Sequence, residues 1–579
     1  MSGGRVLVLG DDTRGFLATV RSLGRRGVAV HAAPTNFRAP ALASRYIVAV
    51  HTLPPWMGDG AEWLATIETL LLHRFDLVIP CNETALLPLQ HHRERLGALA
   101  RLAIPDDAVI ATLFDKHATR ALAGGLGIPV APGRLPRPQD NAQAVLDELG
   151  APVVVKPRRS YELGQLDRRG RVQVVHDAAL LTQLLPGLTS TNHLLEGFFP
   201  GQGLGVSLLA SRGRVLQAFE HHRVHEDSSG SYYRVSAALS PPLLDACTAI
   251  VDALDYTGIG MFEFRRNAES GAWVLLEVNA RPWGSLPLPV GLGVDFPWRW
   301  YRLLTAGEET AAVAYREGVF GRNLLPDLHA TLAEARSLGP GSAAAAMLGR
   351  RILEIGRVLT GREIHDVLVR DDPRPAVAEL CEALAEMLPW LRARLPGAAT
   401  FARLVARARL RAALRRAGGA PPHLVFVCQG NICRSPFAAA ALQRQLPGLA
   451  IGSAGTIPRP GRPTPEFGVA AAQHFGIDLS AHRSAWLSAA TAAAATALLV
   501  FDGENQRAVQ NWHPELRDRV IRLGDLLGGG DIADPIDGDA ATFNRTYARI
   551  EAAVTELARL LGKQGERAAE AAKRQANRA

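Results

Sequence analysis

Cysteine is scarce in this chain. Five in 579 residues (Cys81, Cys247, Cys381, Cys428 and Cys433) cannot build the disulfide framework of a small secreted scaffold. Long apolar runs are missing as well. The mildest membrane candidate, Trp486 to Phe501, is mostly alanine broken by Ser488, Thr491 and Thr496, and it reads as a helix followed by the strand 497–501. The opening, Met1-Ser2-Gly3-Gly4-Arg5, leads straight into a strand-like run without a signal-peptide pattern. A cytoplasmic protein is therefore expected. No G-x-G-x-x-G follows the first strand, which argues against a dinucleotide site.

Acid is absent from one stretch. Between Leu391 and Pro422 there are eight arginines (Arg392, Arg394, Arg403, Arg407, Arg409, Arg411, Arg415 and Arg416) and no Asp or Glu. The net charge is +8, so the rest of the chain is balanced, 56 basic against 56 acidic residues. With Pro396-Gly397 near its start and Gly418-Gly419-Ala420-Pro421-Pro422 at its end, the stretch reads as a helical linker with a hinge. Arg403, Arg407, Arg411 and Arg415 form one stripe at spacing four; Phe401, Leu404, Val405 and Ala408 form another. We expect a solvated interdomain helix in preference to docking on anionic lipid or an acidic partner. Without interleaved aromatics beyond Phe401, a nucleic-acid site is not expected.

At 579 residues the chain exceeds one hydrophobic core, so several domains are expected. Residues 5–110 alternate strand and helix signals. Arg5-Val6-Leu7-Val8-Leu9, Val28-Ala29-Val30-His31 and Asp76-Leu77-Val78-Ile79-Pro80 are strands of a small doubly wound α/β unit, the last tipped by Cys81-Asn82-Glu83-Thr84.

The stretch richest in chemistry is Cys428-Gln429-Gly430-Asn431-Ile432-Cys433-Arg434-Ser435-Pro436. It follows the apolar run Leu424-Val425-Phe426-Val427 and precedes an alanine-rich helical segment. A strand–loop–helix of this kind curls backbone N–H groups and a helix N-terminus around one phosphate. The same field favours a thiolate at Cys428, the useful nucleophile. Arg434 can grip two phosphate oxygens with its fork. Cys428 and Cys433 lack zinc spacing and a second pair, so a metal site is not expected. A reversible disulfide between them remains compatible with catalysis.

The pattern C-x-G-N-x-C-R-S-P resembles the low-molecular-weight protein tyrosine phosphatases. Ser453-Ala454-Gly455-Thr456, His482-Arg483-Ser484 and Asp534-Pro535 stand in that family's order, over about residues 421–562. The resemblance implies that Cys428 attacks phosphorus within the loop Gln429, Gly430, Asn431, Ile432 and Cys433. It implies that Arg434 binds the phosphoryl group, Ser435 hydrogen-bonds the thiolate and Asp534 protonates the leaving oxygen. His482 is expected to brace the loop through Asn431. The walls depart from tyrosine-directed relatives. Ile536-Asp537-Gly538-Asp539 on one side and Thr456-Ile457-Pro458-Arg459 on the other lack an aromatic. Ile432 follows the tyrosine-type members, whereas arginine phosphatases carry Thr there. A phosphorylated protein or a phosphorylated metabolite both remain open as substrate.

A second ordered set lies upstream. Phe114-Asp115-Lys116 opens a helix, Val153-Val154-Val155-Lys156 is a strand ending in lysine, and Leu194-Leu195-Glu196 is a strand with one acid. Met261-Phe262-Glu263-Phe264 and Leu275-Leu276-Glu277-Val278-Asn279-Ala280-Arg281 read as paired strands. Their acids are fourteen residues apart, the right separation for an antiparallel pair to bring both carboxylates together. Alternation puts Glu277, Asn279 and Arg281 on one face, and oxygen ligands suit Mg²⁺. This set resembles the ATP-grasp superfamily, its carboxylate–amine ligase branch in particular, over about residues 1–305. The resemblance implies ATP contacts from Lys116, Lys156, Glu196 and Arg281, with Mg²⁺ (or Mn²⁺) on Glu263, Glu277 and Asn279. It implies that a small-molecule carboxylate becomes an acyl phosphate and that an amine displaces the phosphate. The loop Pro157-Arg158-Arg159-Ser160-Tyr161 is arginine-rich where many members close a glycine-rich lid. Arg223 and Arg234 are candidates for holding a substrate carboxylate, with structural salt bridges as the equal alternative. His221, His222 and His225 show no metal spacing.

The expected fold class is α/β. The parts are a pre-ATP-grasp α/β domain (1–112), an ATP-grasp domain of two α+β subdomains (113–305) and a helical extension (306–390). The arginine-rich linker (391–420), a Rossmann-like phosphatase with a central parallel sheet (421–562) and a disordered tail (563–579) complete it. A bifunctional ligase–phosphatase is the leading reading; the alternative is a phosphatase governed by a non-catalytic ATP-binding domain.

Overall fold

The computed structural model describes residues 3–576 except 38, 167–168, 228–229, 339–340, 358–359, 394–396, 418–420 and 458. The expected hinge glycines Gly418 and Gly419, together with Pro396, Ser228, Ser229 and Pro458, thus lie outside the described residues. The chain divides into two compact units, Met1–Glu382 and Ala383–Ala579.

The first unit opens with a parallel sheet. Strands β1 (Arg5–Leu9), β2 (Ala29–Ala33), β3 (Ile47–Val50) and β4 (Leu77–Pro80) lie in the order β3-β2-β1-β4. Val6, Leu7 and Val8 are fully buried, as a strand covered on both faces requires. A small antiparallel sheet follows, with β5 (Gly133–Arg134), β6 (Val153–Pro157), β7 (Gln173–Val175) and β8 (His193–Gly197) in the order β5-β8-β6-β7. The large sheet holds β9 (Gln202–Ser211), β10 (Arg214–Asp227), β11 (Gly230–Ala237), β12 (Gly258–Arg266), β13 (Trp273–Asn279), β14 (Phe320–Arg322) and β15 (Glu363–His365). Its order is β13-β12-β9-β10-β11-β14-β15.

The region expected as a helical extension (306–390) therefore also supplies two strands to the large sheet. It is held further by a buried clasp. Arg21, 3% exposed, donates to the Asp372 carboxylate at 3.0 Å and to the Val367 and Asp372 carbonyls at 2.8 Å. Asp372 also accepts from the Ser44 hydroxyl at 2.7 Å and the Arg45 N–H at 3.0 Å. A fully satisfied buried pair resists loss of either member, because the survivor is a bare charge away from water. Arg234 is likewise a structural partner: it is fully buried and paired with Asp366.

In the second unit β16 (His423–Cys428), β17 (Ala450–Gly455), β18 (Ala497–Val500) and β19 (Val520–Arg522) form a parallel sheet, order β17-β16-β18-β19. Among the described residues no helix is long and apolar enough to cross a membrane. The arginine-rich stretch forms the helix Ala398–Arg416, and it differs from the solvated helix expected. Ala406, Leu410 and Ala413 are buried in the core of this unit. The narrow alanine–leucine stripe between the arginines is what packs. The stripe chosen from the sequence is the outer one: Phe401 is 63% and Leu404 59% exposed. The last helix, Ala540–Ala576, runs into the segment 563–579 expected as a disordered tail, of which residues 577–579 lie outside the described residues.

Candidate active sites

In the second unit, β16 delivers Cys428 to the loop and the helix Arg434–Gln445 begins immediately after it. Cys428 is 2% exposed. Its Sγ lies 3.1 Å from the Ser435 hydroxyl and accepts from the Asn431 N–H at 3.2 Å. The curl depends on Asn431, a non-glycine residue in the left-handed region (φ 52°). Its side chain donates to Ser435 Oγ at 2.8 Å and Ser453 Oγ at 2.9 Å and accepts from the Ala485 N–H at 2.7 Å. Its carbonyl meets His482 Nε2 at 2.7 Å, so the histidine does brace the loop. Gly455 lies against the loop so closely that a Cβ would sit 3.0 Å from the Gln429 carbonyl oxygen and 3.1 Å from the Asn431 nitrogen.

Arg434 is 1% exposed. Nη1 donates to Asp502 at 2.5 Å and to the Ile532 carbonyl at 2.9 Å, and Nη2 donates to Asp534 at 2.5 Å. Among the described residues, Nε is buried without a partner. The loop thus brings Cys428, Ser435, Arg434 and Asp534 together. Asp502 was missed in the sequence; it caps the helix Gly503–Trp512, accepting from the Asn505 N–H at 2.6 Å. Its signal was a lone Asp after the strand Leu498-Leu499-Val500-Phe501, which reads equally as an ordinary N-cap. Cys433 is a free, buried thiol, and burial pushes its pKa up. Ile536, whose N–H donates to Asp534 at 3.3 Å, is 42% exposed.

In the first unit, β12 and β13 pair antiparallel with Glu263 directly opposite Glu277, as the spacing predicts. The Asn279 amide nitrogen lies 3.2 Å from Glu263 and 3.4 Å from Glu277. Arg281 donates to the Asn279 carbonyl oxygen at 3.0 Å and to Glu83 at 2.9 Å. Lys116 lies 3.8 Å from Glu277 and donates to the Ser160 hydroxyl at 3.1 Å. Lys156 is ion-paired with Glu196, which also meets Arg120 at 3.3 Å. The helix Lys116–Gly125 starts where it does because Asp115 accepts from the His117 and Ala118 N–H groups. Asp115 also anchors Arg158 at 2.7 Å, tying the arginine-rich loop beside Lys116.

The two central acids are pushed apart. Burial, reinforced by Glu277, holds Glu263 above the ordinary carboxylate range despite Arg223. Burial also works on Glu277, but Lys116, Lys156 and Arg169 outweigh it and hold that carboxyl low. Arg223 Nη2 meets Glu263 at 2.5 Å and Nη1 meets Glu226 at 3.0 Å, so in this structure it serves a salt bridge. His221 is buried, His222 meets Glu220 at 3.0 Å, and His225 lies 3.5 Å from Glu354. Arg120 was missed as a partner of the site, while Arg223 makes the structural salt bridge weighed for it in the sequence, to Glu263 and Glu226. Arg120 was signalled by its i+4 spacing from Lys116 on one helix. Gly203 on β9 lies so close to Arg223 that a Cβ there would sit 2.7 Å from the arginine's Cδ. A plainer signal also went unread: the chain has four lysines, and two of them are here.

Among the described residues no group of three or more His, Cys, Asp and Glu side chains forms a metal centre. Glu263 and Glu277 are still a hard-oxygen pair that fits Mg²⁺ when phosphates complete the shell, with the Asn279 amide oxygen joining them once that amide turns over.

The family model described as low molecular weight phosphotyrosine protein phosphatase matches residues 423–567. Over 131 residues the chain is 37% identical to a probable low molecular weight protein-tyrosine-phosphatase, EpsP, of Ralstonia nicotianae, covering 23% of this chain and 90% of the relative. This chain belongs to the low molecular weight phosphotyrosine protein phosphatase family through its C-terminal domain. The same region is 33% identical over 144 residues to a protein-arginine-phosphatase of Geobacillus stearothermophilus, covering 24% of this chain and 97% of that one. The first unit carries an ATP-grasp region: residues 189–323 match the model described as ATP-grasp in the biosynthetic pathway with Ter operon. Over 254 residues the chain is 29% identical to an N5-carboxyaminoimidazole ribonucleotide synthase of Synechococcus elongatus, covering 43% of this chain and 60% of the relative.

Proposed function

We propose that the chain is a bifunctional enzyme, a phosphomonoesterase joined to an ATP-dependent carboxylate–amine ligase. In the phosphatase the Cys428 thiolate attacks phosphorus, a phosphorus–sulfur bond forms and the bond to the leaving oxygen breaks. Asp534 gives its proton to that oxygen. Asp534 then takes a proton from water, which hydrolyses the phosphocysteine and frees phosphate. Ser435 donates to the thiolate. Arg434 meets the phosphoryl oxygens through Nε and Nη2, while Asp502 and the Ile532 carbonyl hold Nη1.

The observation that carries this reading is the Arg434 guanidinium, six residues after Cys428 at the start of the helix that closes the loop: nearly fully buried, anchored at Nη1, paired with Asp534 at Nη2, and with no partner for Nε among the described residues. A buried donor without a partner is costly and points to an absent acceptor. With Ile536 in place of an aromatic, the pocket does not select for a phenyl ring. We assign it a phosphate ester on oxygen, on a protein or a metabolite. The test is trapping of a phosphocysteine on Cys428 by rapid acid quench and mass spectrometry. Phosphate on another residue, or none during turnover, would contradict the assignment.

In the first unit Lys116, Lys156 and Arg281 are assigned to ATP phosphates and the acyl phosphate, and Glu196 to the nucleotide's adenine–ribose edge. Glu263, Glu277 and Asn279 would hold Mg²⁺, which when bound neutralises phosphate charge. The protein's part is positioning and electrostatics. Arg223 must release Glu263 for a cation to bind there. The acid and the amine are small molecules.

A further inference from the structure

The helix Ala398–Arg416 lies before the residues that the phosphatase family model matches, yet it is fastened to the loop that carries Asp534. It packs along the 3₁₀ turn Leu523–Leu527. Arg403 donates to the carbonyl of Leu527, the last residue of that turn, at 2.7 Å. A cation on the final carbonyl of a helical turn is electrostatically favoured.

The segment after the turn is unusual. Gly528, Gly529 and Gly530 are consecutive and all left-handed, with φ of 106°, 112° and 90°. No side chain there can lock the backbone, so its path depends on outside contacts. The Gly528 and Gly529 N–H groups bond back to the Asp525 and Gly524 carbonyls, each at 3.1 Å. From one side Arg549 donates to the Gly529 carbonyl at 3.2 Å. From the other, the Arg403 guanidinium covers Gly528, where a Cβ would sit 2.9 Å from Arg403 Nε and 3.1 Å from Ala399 Cβ. Beyond the pivot the Ile532 N–H joins the Phe501 carbonyl at 2.8 Å, and the Ile532 carbonyl holds Arg434. Asp534 comes two residues later.

We propose that Arg403 is a positioning residue for the phosphatase: by fixing the Gly528–Gly530 pivot it sets where Asp534 stands over the leaving oxygen. The proposal rests on the reading of Asp534 as proton donor. A segment outside the family domain thereby controls proton delivery without touching the phosphate loop, and displacing this helix would slow leaving-group departure before it weakened phosphate binding.

The test uses the full chain and two substrates, p-nitrophenyl phosphate, whose leaving group departs unaided, and phenyl phosphate, which needs the proton. The readout is the ratio of their kcat/KM values, with the inhibition constant of inorganic phosphate measured alongside. Asp534→Ala should raise the ratio, and Arg403→Ala should raise it in the same direction by about tenfold, because small misplacements of a catalytic group are costly. Phosphate inhibition should stay as in the wild type for Arg403→Ala. Arg403→Lys, which keeps a donor for Leu527, should recover part of the ratio. Arg411→Ala, exposed on the same helix, should leave it unchanged. A wild-type ratio in Arg403→Ala beside a raised ratio in Asp534→Ala would overturn the proposal and spare the mechanism. A wild-type ratio in Asp534→Ala would overturn both. A loss of phosphate inhibition equal to the loss of rate in Arg403→Ala would show a merely structural role and overturn the proposal.

Discussion

The two sites solve one problem in opposite ways. On the proposed reading, each holds cations for phosphate in a buried place. The phosphatase does it locally: nine consecutive residues bring Cys428 and Arg434, while Asp502, Asp534 and the Ile532 carbonyl hold the arginine and Ser453, Ala485 and His482 brace the loop from afar. The ligase site does it globally. Lys116, Lys156, Glu196 and Glu263 arrive from separate elements, Glu277 and Arg281 from β13 and the residues just past its end, and each cation rests on an acid: Lys156 on Glu196, Lys116 on Glu277, Arg223 on Glu263 and Arg281 on Glu83. A local site is preorganised by its own backbone. A dispersed one is held by mutual ion pairing that its ligands must exchange.

The largest expected effect sharpens the local side. Cys428→Ser should cost phosphatase turnover on the order of 10⁴-fold or more, as removing a nucleophile does, and leave nucleotide binding unchanged; calorimetric titration with Mg-ADP reads the second half. On the dispersed side the scaffold is the weak point. Asp372→Ala strips Arg21 of its carboxylate and should lower first-unit stability by about 3–5 kcal/mol, seen as an earlier unfolding transition in scanning calorimetry while phosphatase rates at low temperature hold.

How much of this was legible follows the same division. The strand–loop–helix around Cys428 was legible because neighbours in the chain are neighbours in space, whereas the brace from His482 to Asn431, 51 residues apart, was legible only beside the family resemblance. In the ligase half the Glu263–Glu277 pairing was legible from strand alternation, since register fixes which side chains face each other. The partners of these acids were not. Arg223 crosses strands above Gly203, and nothing near either residue in sequence announces it. The arginine helix was misjudged because amphipathicity was scored on the larger apolar stripe. Packing chose Ala406, Leu410 and Ala413: the two alanines let the helix approach closely and Leu410 supplies the buried apolar side chain.

Two smaller effects test the pairing logic. Asp502→Asn should lower phosphatase kcat/KM by about tenfold to a hundredfold, since hydrogen bonds to charged groups contribute about 1.5–3 kcal/mol. Glu277→Gln should weaken Mg-ADP by at least about tenfold, because even outer-shell changes cost that much in metal sites, and should leave metal-free ADP binding near wild type. The smallest effect is one of pH. Glu379 is partly buried, and desolvation, with Asp366 and Glu382 nearby, pushes its carboxyl up to about 7. The folded form holds that proton more tightly than the unfolded form does. Stability from this group is therefore full below the ordinary carboxyl range and is lost as pH rises through about 7. Glu379→Gln should flatten that part of the stability–pH curve of the first unit, with the variant the more stable of the two at pH 8.

The central claim is that one chain carries two independent catalytic sites. It is tested most directly by ADP release from the Cys428→Ser protein given Mg-ATP with pooled carboxylates and amines, with phosphatase rates of the wild type followed in parallel. The account expects ADP only when both an acid and an amine are present, and wild-type phosphatase rates indifferent to ATP. Bound ATP with no ADP from any pool, together with phosphatase rates that rise or fall with ATP, would contradict it and leave a nucleotide sensor fused to a phosphatase.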